Sequence, residues 1–252
     1  MFRNDYDTDV TTFSPAGRIH QVEYAIAAVK QGSACVAVKS DTHAVLACVM
    51  RKESELGSHQ EKLFKVDDHL GIGISGLIAD GRVLCKYLRT ECLNHKFVFE
   101  APMQVGRLVK QLSDKSQVFT QTQQKRPYGV GLLVIGYDET GAHVYETVPS
   151  GNHFEYIAQA MGKRSQSART YLEKYFKEFK NMELGDLVNH SLKSLKGASE
   201  EKLTKSNCAV AFVGKDRKFT VLTGDKLAPY MELAVEGDEE KKEESKEMVE
   251  DS

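Results

Sequence analysis

Tryptophan is absent from this chain, proline occurs five times in 252 residues, and none of the five cysteines belongs to a Cys-x-x-Cys pair. Without such pairs there is no zinc-ribbon or thioredoxin-type motif. An odd number of cysteines would leave one unpaired in an oxidising compartment, so Cys35, Cys48, Cys85, Cys92 and Cys208 are expected to be reduced, mostly buried thiols. An excess of one charge is also missing: the formal net charge is -2, which supplies no basic field for nucleic acid. No apolar run approaches the ~20 residues of a membrane helix, and the polar opening Met1-Phe2-Arg3-Asn4-Asp5-Tyr6-Asp7 has no signal-peptide core. The expected setting is the cytosol or a compartment continuous with it, with neither membrane nor nucleic acid as a partner.

What is present is enough apolar material, 41% of residues, to bury a substantial core. Ser14-Pro15-Ala16-Gly17 has the residues of a type I turn, and the stripe Ile19, Val22, Ile26, Val29 behind it has helical spacing. Short β-rich runs follow at 35–39 and 44–49, with a third ending in the alternation Leu70, Ile72, Ile74. Two helical patterns come next, one on Val83, Leu84, Tyr87 and Leu88, the other on Val105, Leu108, Val109 and Leu112. Runs at 130–137 and 142–147 flank Asp138-Glu139-Thr140-Gly141 and predict a hairpin.

A second helix pair carries Ala168, Tyr171, Leu172, Tyr175, Phe176 and Phe179, then Leu184, Leu187, Val188, Leu192 and Leu195; strands at 208–213 and 219–223 close the pattern. Helices arriving in pairs argue against a parallel βαβ sheet and for an α+β domain of antiparallel sheets covered by helix layers. The final stretch 236–252 holds nine acidic and three basic residues, a net charge of -6, and is expected to be a solvated, disordered tail. The expected organisation is one domain, 1–235, followed by this tail.

Three features have the outline of chemistry. Gly71-Ile72-Gly73-Ile74-Ser75-Gly76 fits the GxGxxG pattern of a dinucleotide loop, with Asp80 behind it. Its glycines alternate with Leu70, Ile72 and Ile74 as the two faces of a strand would, so close packing of strand and helix is the preferred explanation. Asp67-Asp68-His69 lacks partners at metal-ligand spacing and predicts a solvated turn; no metal or cofactor is expected. Gly32-Ser33 before a strand suggests an N-terminal nucleophile, but that chemistry needs a free α-amino group, and a helix lies directly upstream.

Tyr6-Asp7 through Thr12-Phe13-Ser14-Pro15-Ala16-Gly17-Arg18, then Gln21-Val22-Glu23-Tyr24-Ala25, resembles the signature that opens alpha subunits of the 20S proteasome. The likeness continues through Lys30-Gln31-Gly32-Ser33, Glu61-Lys62, Gly76-Leu77-Ile78-Ala79-Asp80, Arg126-Pro127-Tyr128-Gly129-Val130-Gly131 and Gly162-Lys163-Arg164-Ser165-Gln166-Ser167-Ala168, covering all but the acidic tail. The resemblance implies a four-layer αββα sandwich of the N-terminal nucleophile hydrolase type with an N-terminal extension helix. It divides the domain into a gate segment and turn at 1–17, the helix at 18–30 and the sandwich at 33–235.

By the same resemblance the nucleophile column falls at Ser33, the supporting carboxylate near Val49 and the lysine at Lys62. An aliphatic residue stands where the carboxylate should be, which predicts a catalytically silent chain; the alternative is a self-processing hydrolase with Ser33 as nucleophile. A free-standing nucleotide-binding domain at 71–76 is the third possibility. The resemblance also implies a pore-stabilising cluster of Tyr6, Asp7, Pro15 and Tyr24, and a pocket of Gly32, Lys62 and Leu77 that receives activator C-terminal tails. Thr8 stands where many alpha subunits have Arg after Tyr-Asp, so it cannot make the same guanidinium contact. The implied partners are six other alpha subunits in a seven-membered ring, beta-ring subunits and a regulatory particle or other activator, in cytoplasm and nucleus.

Overall fold

The structure is a computed structural model that describes residues 5–54 and 56–231. Met1-Phe2-Arg3-Asn4 and the acidic stretch 236–252 lie outside the described residues. The turn at 14–17 forms as its residues dictate: the Gly17 amide donates to the Ser14 carbonyl at 2.8 Å, and Gly17 takes φ +74°, a left-handed value that glycine tolerates. The first helix, α1 (His20–Gln31), follows directly. Its Ala25 and Val29 are buried, while Val22 and Ile26 are only partly covered.

Two five-stranded antiparallel sheets come next. The first contains β1 (Cys35–Lys39), β2 (His43–Val49), β8 (Ala158–Met161), β9 (Cys208–Gly214) and β10 (Arg217–Thr223), in the order β10-β9-β2-β1-β8. The second contains β3 (Leu63–Asp67), β4 (Leu70–Gly76), β5 (Val130–Asp138), β6 (Gly141–Thr147) and β7 (His153–Glu155), in that order. Helices α2 (Ile78–Phe99) and α3 (Val105–Phe119) cover the second sheet, and α4 (Ser165–Tyr175) and α5 (Leu184–Ala198) cover the first.

Strand alternation assigns the core to three layers. Val36, Val38, Val45, Ala47, Val210 and Phe212 face α4 and α5, whereas Cys35, Ala37, Leu46, Cys48, Ala211 and Val213 face the second sheet. Leu70, Ile72, Ile74, Leu132 and Val134 face α2 and α3. The central strands are therefore buried on both faces, which is why they read as unbroken apolar runs. This is the four-layer αββα sandwich with an N-terminal helix.

Several elements differ from expectation. The third β-rich run is two strands, β3 and β4, joined at Asp68-His69; Asp68 sits between Lys65 and Lys218, 2.5 and 2.7 Å away. Strands β7 and β8 had no sequence signal, because β7 is exposed throughout and β8 has only four residues. On α2 the buried stripe is Gly81, Leu84, Cys85, Leu88 and Cys92, and Val83 points outward. Helix α4 stops at Tyr175, and Phe179 is buried in a separate 3-10 turn, Phe179–Asn181.

The GxGxxG stretch is strand β4, paired on both sides, so its amides are committed to the ladder with β3 and β5. Its glycines serve the approach of the two sheets more than that of strand and helix. A Cβ on Gly71 would lie 2.3 Å from the Phe219 ring, and one on Gly73 would lie 2.6 Å from Cys35 Sγ. All five cysteines are buried and unpaired, and burial pushes the Cys35 thiol up to about 11 and the Cys208 thiol up to about 12. Among the described residues no helix is long and apolar enough to cross a membrane.

The expected hairpin is present, and its Asp138 fastens it to α3. The Val105 amide donates to Asp138 Oδ2 at 3.0 Å, supplying α3 with a cap from 33 residues away; Thr140 donates through N and Oγ1 to Oδ1 at 2.9 and 2.6 Å. His143 Nε2 lies 3.1 Å from the same oxygen. Burial pushes this carboxyl up, but the bonds from Thr140 and Val105 and the His143 charge outweigh it and hold it below the ordinary aspartate value. The ionised form is thus favoured in the fold, so its contribution is present above about pH 4 and is lost as pH falls through the lower folded value. Asp138→Ala is expected to cost about 1–2 kcal/mol at pH 7 in urea denaturation, with the gap to wild type closing towards pH 2. A constant gap across that range would remove the carboxylate from the account.

Candidate functional site

Ser33 lies between α1 and β1, and the carbonyls of Gly32 and Ser33 and the Ser33 hydroxyl are all engaged. The Gly32 carbonyl accepts from the Lys163 amide at 2.7 Å, in a turn whose Gly162 takes φ +96°. A Cβ on Gly162 would lie 2.7 Å from the Ser33 carbonyl oxygen, so only glycine lets the turn approach this closely. Ser33 Oγ donates to the Val49 carbonyl at 2.8 Å. Lys62 Nζ donates to Ser33 Oγ at 2.6 Å and also to the Ser33 carbonyl. Ser75 Oγ donates to the Val29 carbonyl at 3.0 Å, tying α1 to β4 beside the same point.

Lys62 is therefore no solvated edge residue; it is 3% exposed. Burial pushes its pKa below the ordinary lysine value, opposed by the Cys48 and Cys35 thiols and reinforced by Arg51. No carboxylate is among these neighbours. Val49 contributes only its backbone carbonyl to Ser33, since its side chain is aliphatic.

Gly32, Lys62 and Leu77 come together on the wall of one cavity of about 240 Å3, with Ala28 and Ile78 adding apolar surface and Arg51 a second cation. Leu77 is held by its neighbours: its amide donates to the Gly129 carbonyl at 2.8 Å, and the Gly129 amide donates to Asp80 Oδ2 at 2.9 Å. Asp80 also receives both terminal nitrogens of Arg126, at 2.6 and 2.9 Å. Burial raises the Asp80 carboxyl, but Arg126 and the Gly129 amide prevail and hold it below the ordinary value. Asp80 and Arg126 fall in separate sequence motifs 46 positions apart, so no local pattern pairs them.

At the N-terminal edge, Tyr24 OH donates to Asp7 Oδ2 at 3.2 Å, and Gln21 Nε2 donates to the Asp7 carbonyl. Asp7 and Tyr24 are thus in contact, Pro15 lies in the turn at 14–17, and Tyr6 is exposed at the start of the described chain. Arg18 forms a two-point pair with Glu23 at 2.7 and 2.6 Å, on solvent, where such pairs contribute little. Among the described residues no group of three or more His, Cys, Asp or Glu could hold a metal ion.

The αββα sandwich, with the buried Lys62 against Ser33 just before β1, is matched by what family comparison finds. The proteasome subunit model matches residues 29–213, and the model of the N-terminal signature of A-type proteasome subunits matches residues 6–28; the chain belongs to the proteasome subunit family, with the alpha-type opening. Within it the chain is similar to type one alpha subunits. It is 52% identical to "Proteasome subunit alpha type-1" of Dictyostelium discoideum, over 92% of this chain and 95% of that protein. It is 46% identical to the protein of that name from Drosophila melanogaster, over 94% and 87%. It is also 48% identical to a "Probable proteasome subunit alpha type-6" of Schizosaccharomyces pombe, over 88% and 82%.

The bonds between Lys62 and Ser33 generate a double-mutant prediction. Lys62→Met leaves the Ser33 oxygens without their donor, and Ser33→Ala removes one of the two acceptors. The two changes are expected to be non-additive by about 1 kcal/mol or more in urea denaturation. Additivity within about 0.3 kcal/mol would show that the contact carries no coupling.

Proposed function

We propose that this chain is a non-catalytic wall and gate subunit of the outer alpha ring of the 20S proteasome core. In this role it joins six other alpha subunits and stacks on the beta ring, whose subunits carry the threonine-type peptidase sites. It acts in cytoplasm and nucleus in ATP- and ubiquitin-dependent protein degradation. The observation that carries this proposal is the state of Ser33. The Ser33 nitrogen is an internal amide following Gly32, its hydroxyl donates to the Val49 carbonyl, and among the described residues no carboxylate pairs with Lys62. A Ser-Lys contact alone is insufficient, because the N-terminal nucleophile mechanism uses the free α-amine as its base.

The same geometry supports the recognition role. The cavity of Gly32, Lys62 and Leu77 has an apolar wall and a recessed ammonium, which suits the C-terminal carboxylate and hydrophobic side chain of an activator tail. The contact of Asp7 with Tyr24, next to the turn holding Pro15, supports a gate cluster that also includes Tyr6. The partly covered Val22 and Ile26 give α1 an apolar edge for a ring neighbour, beside the buried Ala25 and Val29.

Two substitutions test the proposal. Core particles assembled with Ser33→Ala are expected to keep every peptidase activity within error; loss of one activity at normal particle yield would assign catalysis to this chain. Val22→Asp with Ile26→Asp is expected to keep the chain out of particles on native gels, because carboxylates buried at an interface without partners cost several kcal/mol. Normal particle yield would take α1 out of the ring contact.

A further inference from the structure

A second, larger cleft of about 690 Å3 lies on the other side of Ser33, between the segment after β2, the turn before α4 and the connection from α5 to β9. Its walls carry Arg51, Lys163 and Lys202 against two carboxylates, Glu200 and Glu201. Glu200 pairs with Lys163 at 2.6 Å, and its carboxyl is held below the ordinary value by Lys163 first, then by Arg164 and Arg51. One carboxylate thus stands among three cations. The cleft is biased towards further negative charge, and its size suits an extended peptide better than a single ion.

The end of the described chain approaches the cleft at Lys205, between its lining residues Thr204 and Ser206. The Gly224 amide donates to the Lys205 carbonyl at 3.1 Å, and Lys205 Nζ pairs with Asp225 at 2.5 Å. Beyond them, Leu227 is buried in the cluster that contains Ala198, a residue of the cleft wall, and Tyr230 and Met231 pack on that cluster. The acidic stretch begins at Glu236, with four residues between it and the last described position, Met231. A segment of charge -6 is tethered beside a cationic cleft, where tethering gives it an effective concentration on the order of millimolar.

We propose that the acidic stretch 236–252 of this same chain is the occupant of this cleft, held by charge pairing with Arg51, Lys163 and Lys202. The test uses the full-length chain in assembled particles, with a photo-crosslinking residue at position 243. At about 50 mM salt, cross-links are expected to concentrate on peptides containing Arg51-Lys52 and residues 199–205. Their yield is expected to fall about 5- to 10-fold at 0.5 M salt, where exposed charge pairs are screened over a few ångströms. Lys202→Glu is expected to produce a similar loss. Because that variant could also disturb the α5–β9 connection, a second variant leaves the cleft intact: Glu239→Gln, Glu240→Gln, Glu244→Gln and Glu247→Gln together should lower the yield equally. Cross-links scattered over the surface, cross-links to a neighbouring subunit, or a yield indifferent to salt and to both variants would each overturn the proposal.

Discussion

A buried ammonium group joins the two sheets where the first helix enters. Lys62 precedes β3 in one sheet, and Ser33 precedes β1 in the other; the bonds between them cross the sandwich. Val49, at the end of β2, and Val29, in α1, are drawn in by Ser33 Oγ and Ser75 Oγ. Desolvating a lysine is costly, and it is tolerable here because two oxygens accept from it directly. Removing one partner would leave a buried polar group unsatisfied, which is more damaging than the modest net contribution of a typical hydrogen bond suggests. The contact therefore fixes register between sheets more than it adds stability.

That commitment has a chemical consequence. The residues that would form a nucleophile and its activator are here structural partners, and α1 occupies the chain direction from which a free amine would have to come. What remains open is the rim: the Gly32, Lys62 and Leu77 cavity on one side and the cationic cleft on the other. These two openings flank the buried Lys62–Ser33 contact, one with an apolar wall and the other lined by cations.

Much of the fold was legible locally. The hairpin around Asp138-Glu139-Thr140-Gly141 and the stripes on α3 and α5 followed from turn chemistry and helical spacing, because each is decided by neighbours within a few residues. The β7 and β8 strands were not legible, since one is wholly exposed and the other too short for a pattern. The glycines of β4 read correctly as packing residues, yet their neighbours, Phe219 and Cys35, lie across the sandwich and leave no trace in local spacing. For the site, family resemblance alone placed Ser33, Val49 and Lys62 together. The bidentate Arg126–Asp80 pair that supports Leu77 went unseen because no periodicity links residues so far apart.

If Ser33 is a structural residue, the chain runs uninterrupted across the Gly32–Ser33 bond. Intact-mass measurement of this subunit released from purified core particles tests it most directly. The account predicts that the Gly32–Ser33 bond is intact in the whole population, with the mass of the chain including α1. A species whose mass corresponds to a chain starting at Ser33 would contradict it, because cleavage there would supply the free amine that the nucleophile mechanism requires.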